Sequence, residues 1–315
     1  MIKKIISLLF LFILCICYAN LVNIKYFKKY NRDLTSNVQD FFLSSYSNGF
    51  NSNIYYRGNL ITTNDKIDIL IGNHFNYIDF VIHIGIFKNL NNKEVTFLYT
   101  KNLGETNIIN DILKETQSLS LNKKIHLDIE NIKNFVSKNN NTIIYFNPEG
   151  QRIKNITLEK SKEFCKENNL TIYNNILYPK MKGIFTIITE LRRQNKLGNI
   201  IDFTVKVENT NINNYTINDY INLNLGNTYC DINTYSVPNI TDYEKFKKWF
   251  LMIWDKKENY LENYKKLNYT QIIPQVKTSN KIITFIILFI YFNVIYILST
   301  YQSNIVIMSK YNVSY

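Results

Sequence analysis

Among 315 residues there are only three histidines, four cysteines, four prolines and nine glycines, and each shortage excludes something. Cys15 and Cys17 lie in an apolar stretch while Cys165 and Cys230 stand alone, so neither a disulfide framework nor a C-x-x-C zinc spacing is present. No Pro- or Gly-rich run marks a linker and no segment repeats, which favours one large domain over two small ones. Arginine is confined to Arg32, Arg57, Arg152, Arg192 and Arg193, so the net charge of +12 comes almost wholly from lysine. Nucleic-acid binders lean harder on arginine, and a nucleic-acid partner is not expected. With 46% hydrophobic residues the chain has material for a substantial core, which removes disorder as the default.

Two apolar stretches bracket this composition. Ile5 to Val22 is nearly uncharged, follows Lys3 and Lys4, and approaches the roughly 20 residues that cross a bilayer. The competing reading is a cleaved signal peptide, since Cys17-Tyr18-Ala19 offers a small-x-small pattern. Ile282 to Tyr301 is a second candidate span, with Ile305 to Met308 as an extension or a return. Lys25, Lys28, Lys29 and Arg32 follow the first, while Lys265, Lys266, Lys277 and Lys281 precede the second. The positive-inside rule then puts the middle of the chain in the cytosol. The expected organisation is an N-terminal anchor over residues 1–24, a globular domain over 25–270 and a membrane segment over 281–308.

The middle alternates short β-branched runs with longer helical patterns, which predicts an α/β domain, a central sheet flanked by helices. Strands are expected at Ile67–Ile71, Val95–Tyr99, Thr142–Phe146, Ile176–Leu177 and Ile200–Val207. Helices are expected at Tyr77–Lys88, Leu127–Lys138, Leu158–Asn168 and Thr241–Leu267. In the last, Phe246, Trp249, Phe250, Ile253, Trp254, Leu261 and Tyr264 form an apolar stripe. It suits packing on the core better than lying in the bilayer interface.

One histidine stands apart. His74 follows the strand Ile67–Ile71 and Gly72, and Asp79 falls on the first turns of the next helix, within reach of the imidazole. A hydroxyl attacking an activated acyl group needs a base near neutral pH, and an imidazole oriented by a carboxylate supplies it. The bland reading, a core or capping histidine, fits His83 and a surface one fits His126. A second loop, Asn147-Pro148-Glu149-Gly150-Gln151-Arg152, also follows a strand; Gly150 permits a tight turn and Arg152 offers a two-pronged phosphate contact.

These loops, with Pro179-Lys180-Met181-Lys182-Gly183 and Asp202-Phe203-Thr204-Val205, resemble the ordered blocks of the lysophosphatidic acid acyltransferase family. The branch suggested is the eukaryotic one that includes lysocardiolipin and lysophosphatidylinositol acyltransferases. Trp249, Lys257, Glu258 and Leu261 resemble its late segment, and the likeness spans about Gly58 to Tyr264. The chain departs at Asn147 for phenylalanine, Gln151 for threonine and Lys123 for arginine, and the block begun by Lys101 lacks its Pro and Gly.

The resemblance implies a glycerolipid acyltransferase fold and direct transfer of a fatty acyl group from acyl-CoA to the free hydroxyl of a lysophospholipid. Lysophosphatidic acid is the first acceptor expected, lysocardiolipin or lysophosphatidylinositol the alternatives, and a catalytically inactive lipid binder the other outcome. His74 and Asp79 would be catalytic; Asn73, Lys101, Lys123, Glu149, Gly150, Arg152, Pro179, Lys180 and Lys182 would bind substrate. Acyl-CoA is implied as co-substrate, with no metal and no further cofactor, and the bilayer of the endoplasmic reticulum or another internal membrane as the setting. No G-x-S-x-G elbow is present, which agrees with transfer without an acyl-enzyme.

Overall fold

Strands buried on both faces need no alternation of polar and apolar residues, and two segments show this. Ile67–Gly72 and Thr142–Phe146 are buried at every position and pair side by side in parallel. The computed structural model describes residues 53–75, 79–91, 93–100, 119–121, 125–208 and 226–272. In chain order the elements are β1 (Ile54–Gly58), β2 (Ile67–Gly72), α1 (Asp79–Leu90), β3 (Glu94–Thr100), β4 (Leu119–Leu121), α2 (Ile125–Lys138) and β5 (Thr142–Phe146). There follow α3 (Asn155–Glu167), α4 (Met181–Arg193), β6 (Leu197–Val207), β7 (Thr228–Ser236), α5 (Tyr243–Asn263), a 3₁₀ turn (Tyr264–Lys266) and β8 (Thr270–Ile272).

The strands form one sheet in the order β4-β3-β5-β2-β6-β7-β1-β8. From β4 to β6 all neighbours are parallel; β7 runs antiparallel to β6, β1 parallel to β7, and β8 antiparallel to β1. Helix α1 packs on one face, where Ile82, Ile86 and Phe87 meet Leu70, Ile143 and Phe203. Helices α2, α4 and α5 cover the other, where Val136, Ile188 and Phe250 join Ile69, Ile71 and Ile144.

This topology creates a crevice. After β2 the chain leaves over one face through α1 to reach β3, and after the adjacent β5 it passes through α3 and returns to β6 by way of α4 on the opposite face. The switch from one face to the other falls at the carboxyl ends of β2 and β5, which is where open α/β sheets bind ligands.

The expected α/β class holds, as do four of the five strands and all four helices, with ends shifted by a few residues. Ile176–Leu177 is not a strand. Its segment is fixed by side chains of α5: Trp254 Nε1 donates to the Leu177 carbonyl at 2.9 Å, and Glu258 Oε1 accepts from the Asn174 and Asn175 N–H groups at 2.6 and 3.1 Å. The α5 stripe is core packing, with Phe246, Phe250 and Trp254 stacked in sequence and fully buried.

Sequence reading missed α4, β1, β4, β7 and β8. Within α4 the run Ile184-Phe185-Thr186-Ile187-Ile188-Thr189 has poor helix propensity, yet Ile184, Ile187, Ile188 and Leu191 all face the core at helical spacing. The candidate spans at 5–22 and 282–301, and their flanking cations up to Arg32 and from Lys277, lie outside the described residues. Among the described residues no helix is long and apolar enough to cross a membrane.

The most demanding contact in the core is ionic. The Lys257 ammonium on α5 is fully buried, paired with Asp202 on β6, and donates to Thr204 Oγ1 at 3.0 Å and the Phe203 carbonyl at 3.2 Å. Burial pushes the Asp202 carboxyl up against the opposing pull of Lys257. Removing one partner strands the other, so Lys257→Met is expected to lower the unfolding free energy by about 3–5 kcal/mol. Adding Asp202→Leu is expected to restore most of it, and denaturant unfolding of the three proteins is the measurement.

Candidate active site

The two loops at the crevice are joined through the backbone of His74. Its N–H donates to Glu149 Oε1 at 3.1 Å, and its carbonyl accepts from the Ile153 N–H at 2.8 Å. Upstream, the Asn73 side chain grips β6: Nδ2 donates to the Val205 carbonyl at 2.9 Å and Oδ1 accepts from the Val205 N–H at 2.8 Å. Asn73 was expected against substrate. It is instead buried, with its amide engaged by the backbone, and holds the loop.

The geometry leaves the imidazole facing outward. His74 Nδ1 lies 2.6 Å from Asp79 Oδ2; the Asp79 side chain is 3% exposed and that of His74 26%. A distance this short marks a charge-assisted bond. Asp79 sits in the first turn of α1, where the helix dipole favours its negative charge. With Nδ1–H given to Asp79, Nε2 carries the lone pair, and a partly exposed imidazole backed by a buried carboxylate suits proton abstraction.

Glu149 plays a different part. It is 1% exposed, and burial pushes its carboxyl up to about 8, the bond from the His74 N–H and the Lys257 charge pulling the other way. Oε2 has no hydrogen-bond partner among the described residues. A carboxyl raised this far keeps its proton at neutral pH. Gly150 follows with φ of 69°, a left-handed turn that favours glycine, and a Cβ there would come within 3.0 Å of Lys180 Cδ. The Lys180 N–H donates to the Pro148 carbonyl at 2.8 Å, tying the third block to the second.

A second polar chain backs the crevice. His83 Nδ1 lies 2.9 Å from the Tyr145 hydroxyl, which donates to Asn147 Oδ1 at 3.1 Å. Tyr145 has one proton to give, so His83 is the donor to it. Burial, with Lys257 and His74 adding to it, holds His83 well below the usual imidazole range and hence neutral. The expectation that His83 packs on its helix is met, and Asp79 pairs with His74. The Asn147 departure thus has a use, because its amide oxygen ends a chain that a phenylalanine could not accept. Gly72 makes room for it: a Cβ there would sit 2.5 Å from His83 Cε1.

Of the residues expected in the site, His74, Asp79, Asn73, Glu149 and Gly150 come together. Arg152 is half-buried before α3, its carbonyl accepting from Thr157 Oγ1 at 3.0 Å. Pro179, Lys180 and Lys182 line a groove that Glu149 shares. Lys101, Lys123 and the His126 side chain lie outside the described residues. Sequence reading missed Tyr145, although strand alternation sets it two residues before Asn147. It also missed Lys160 and Lys247, two of many lysines on polar helix faces with no signal to mark them.

Residues 54–207 match the family model described as Acyltransferase. No curated protein matches the chain. Among solved structures, the fold is similar to that of the 1-acyl-sn-glycerophosphate (LPA) acyltransferase PlsC from Thermotoga maritima, with 14% identity and a TM-score of 0.52. That likeness covers 84% of this chain and 99% of the other.

The raised carboxyl carries a stability consequence. Glu149 binds its proton more tightly folded than unfolded, so the stabilisation is full below about 4.5 and is lost as pH rises through about 8. Glu149→Gln keeps an acceptor for the His74 N–H and cannot ionise. Melting temperatures at pH 6 and pH 9 are expected to fall further for wild type than for Glu149→Gln; equal falls would show that Glu149 is ionised throughout.

Proposed function

We propose that this chain transfers a fatty acyl group from acyl-CoA to the free hydroxyl of a lysophospholipid, with lysophosphatidic acid as acceptor and phosphatidic acid as product. The observation that carries this reading is the partly exposed His74 imidazole held at 2.6 Å by the buried Asp79, inside a stretch that matches an acyltransferase family model. Lysophosphatidic acid is chosen as acceptor because the fold is similar to that of an LPA acyltransferase and because Arg152 suits a phosphate monoester.

The chemistry follows from the arrangement. His74 Nε2 takes the acceptor hydroxyl proton as that oxygen attacks the thioester carbonyl, and Asp79 stabilises the imidazolium formed. The tetrahedral intermediate collapses with cleavage of the carbon–sulfur bond. The sulfur leaves with the electron pair and takes the proton back from His74, so the enzyme returns to its starting state with no acyl group on any side chain. Glu149 and Asn73 position His74 through its backbone, and Arg152 binds the acceptor phosphate.

Both lipids reside in membranes, so we place the site at a bilayer face, on an internal membrane such as the endoplasmic reticulum and open to the cytosol, where acyl-CoA is found. The apolar segments at 5–22 and 282–301 would anchor it there.

Membranes carrying the chain are expected to move label from acyl-CoA onto lysophosphatidic acid. His74→Ala and Asp79→Asn should each lower that rate by about 10²–10⁴-fold, with the protein still folded. Equal incorporation by wild type and His74→Ala would overturn the catalytic role. A panel of lysocardiolipin and lysophosphatidylinositol tests the choice of acceptor.

A further inference from the structure

Beside the crevice runs a groove of about 610 Å³ bounded by α3, the start of α4 and the start of α5. Glu149 is part of its lining and accepts from the His74 N–H at 3.1 Å, so the groove adjoins the loop that carries the candidate base. Its walls carry Lys160 from α3, Lys180 and Lys182 at the head of α4, and Lys247 from α5.

Three further features favour an anion. The first turn of α4 opens into the groove through Met181, Lys182 and Gly183, with no acidic residue in that turn and no side-chain cap at Lys180. The leading N–H groups of a 13-residue helix are left there as donors, with the positive end of the helix dipole behind them. A Cβ built on Gly183 would meet nothing within 4 Å, so the backbone lies open to a ligand. The buried Glu149, whose Oε2 has no hydrogen-bond partner among the described residues, is also part of the lining. As a neutral acid it offers an O–H and does not repel an anion.

Apolar surface completes the lining. Phe164, half exposed, packs its ring 5.9 Å from that of Tyr178, and Leu177 and Tyr243 continue the floor. Cations from three separate elements around an aromatic floor suit an elongated ligand with several phosphates and a flat apolar part better than a single phosphate monoester. Coenzyme A has that chemistry, with a 3′-phosphate, a pyrophosphate and an adenine.

We propose that this groove holds the nucleotide end of the acyl donor, with Lys160, Lys180, Lys182, Lys247 and the first turn of α4 binding its phosphates. The proposal rests on the reading of the chain as an acyl-CoA-dependent transferase. The acyl end of the donor then leads from the groove past Glu149 toward His74.

The test uses the full chain in membranes and the double variant Lys160→Glu/Lys247→Glu, whose two sites lie on helix surfaces. Initial rates are measured against acyl-CoA and against lysophospholipid separately, with 3′,5′-ADP and glycerol 3-phosphate as inhibitors. In the variant the KM for acyl-CoA should rise by at least about tenfold, while kcat and the KM for lysophospholipid stay within about twofold. 3′,5′-ADP should compete with acyl-CoA in wild type and lose potency in the variant; glycerol 3-phosphate should not distinguish the two proteins. An unchanged donor KM in an active variant overturns the proposal, as does a rise confined to the lysophospholipid axis or a loss of glycerol 3-phosphate inhibition. If the variant is inactive, equal 3′,5′-ADP binding by variant and wild type overturns it as well. A wild type with no transfer to any lysolipid defeats the functional reading instead, and ADP binding lost in the variant would then still assign the groove to a nucleotide.

Discussion

The site depends on a backbone seam. β2 and β5 lie next to each other in parallel, and beyond their ends His74 is stitched to the β5 loop through both its N–H and its carbonyl. The proposed reaction needs an imidazole held in one orientation; Asp79 fixes the ring while Glu149 and Ile153 fix the main chain that carries it. Crossovers on opposite faces set the crevice at the ends of both strands. The sheet order and the local hydrogen bonds therefore answer one requirement, a rigid base in an open crevice.

Helix α5 braces the opposite side of that crevice from a distance. Lys257 ties it to β6, Trp254 ties it to Leu177, and Glu258 and Asp255 reach the segment that starts at Tyr173. This segment has no ladder of its own, so its path is set by side chains that satisfy its backbone groups. It leads directly into Pro179 and Lys180, which places the groove wall under the control of a helix whose residues are mostly remote from the chemistry.

Much of the layout was legible beforehand, for identifiable reasons. Strands such as Thr142–Phe146 declare themselves because burial on both faces demands an unbroken apolar run. His74 and Asp79 were readable because a strand-to-helix turn brings positions five apart within hydrogen-bond reach. Strand β7 was not readable, since Asp231, Asn233 and Thr234 hide the buried Cys230 and Ile232 between them. The protonated state of Glu149 was equally hidden. It arises from burial, with the Asp79 charge on α1 adding to it and the Lys257 charge on α5 opposing it, and local sequence holds no trace of these.

Asn73 illustrates how a residue beside a reactive group comes to be irreplaceable without touching the reaction. It meets one peptide unit of β6 edge to edge, its oxygen and its nitrogen each matched to the Val205 group of opposite character. Aspartate would set oxygen against oxygen there, serine would fall short, and glutamine would overshoot by a methylene. A single rung of sheet is in effect completed by a side chain instead of a strand, and among the common amino acids only asparagine has both the reach and the paired polarity to complete it.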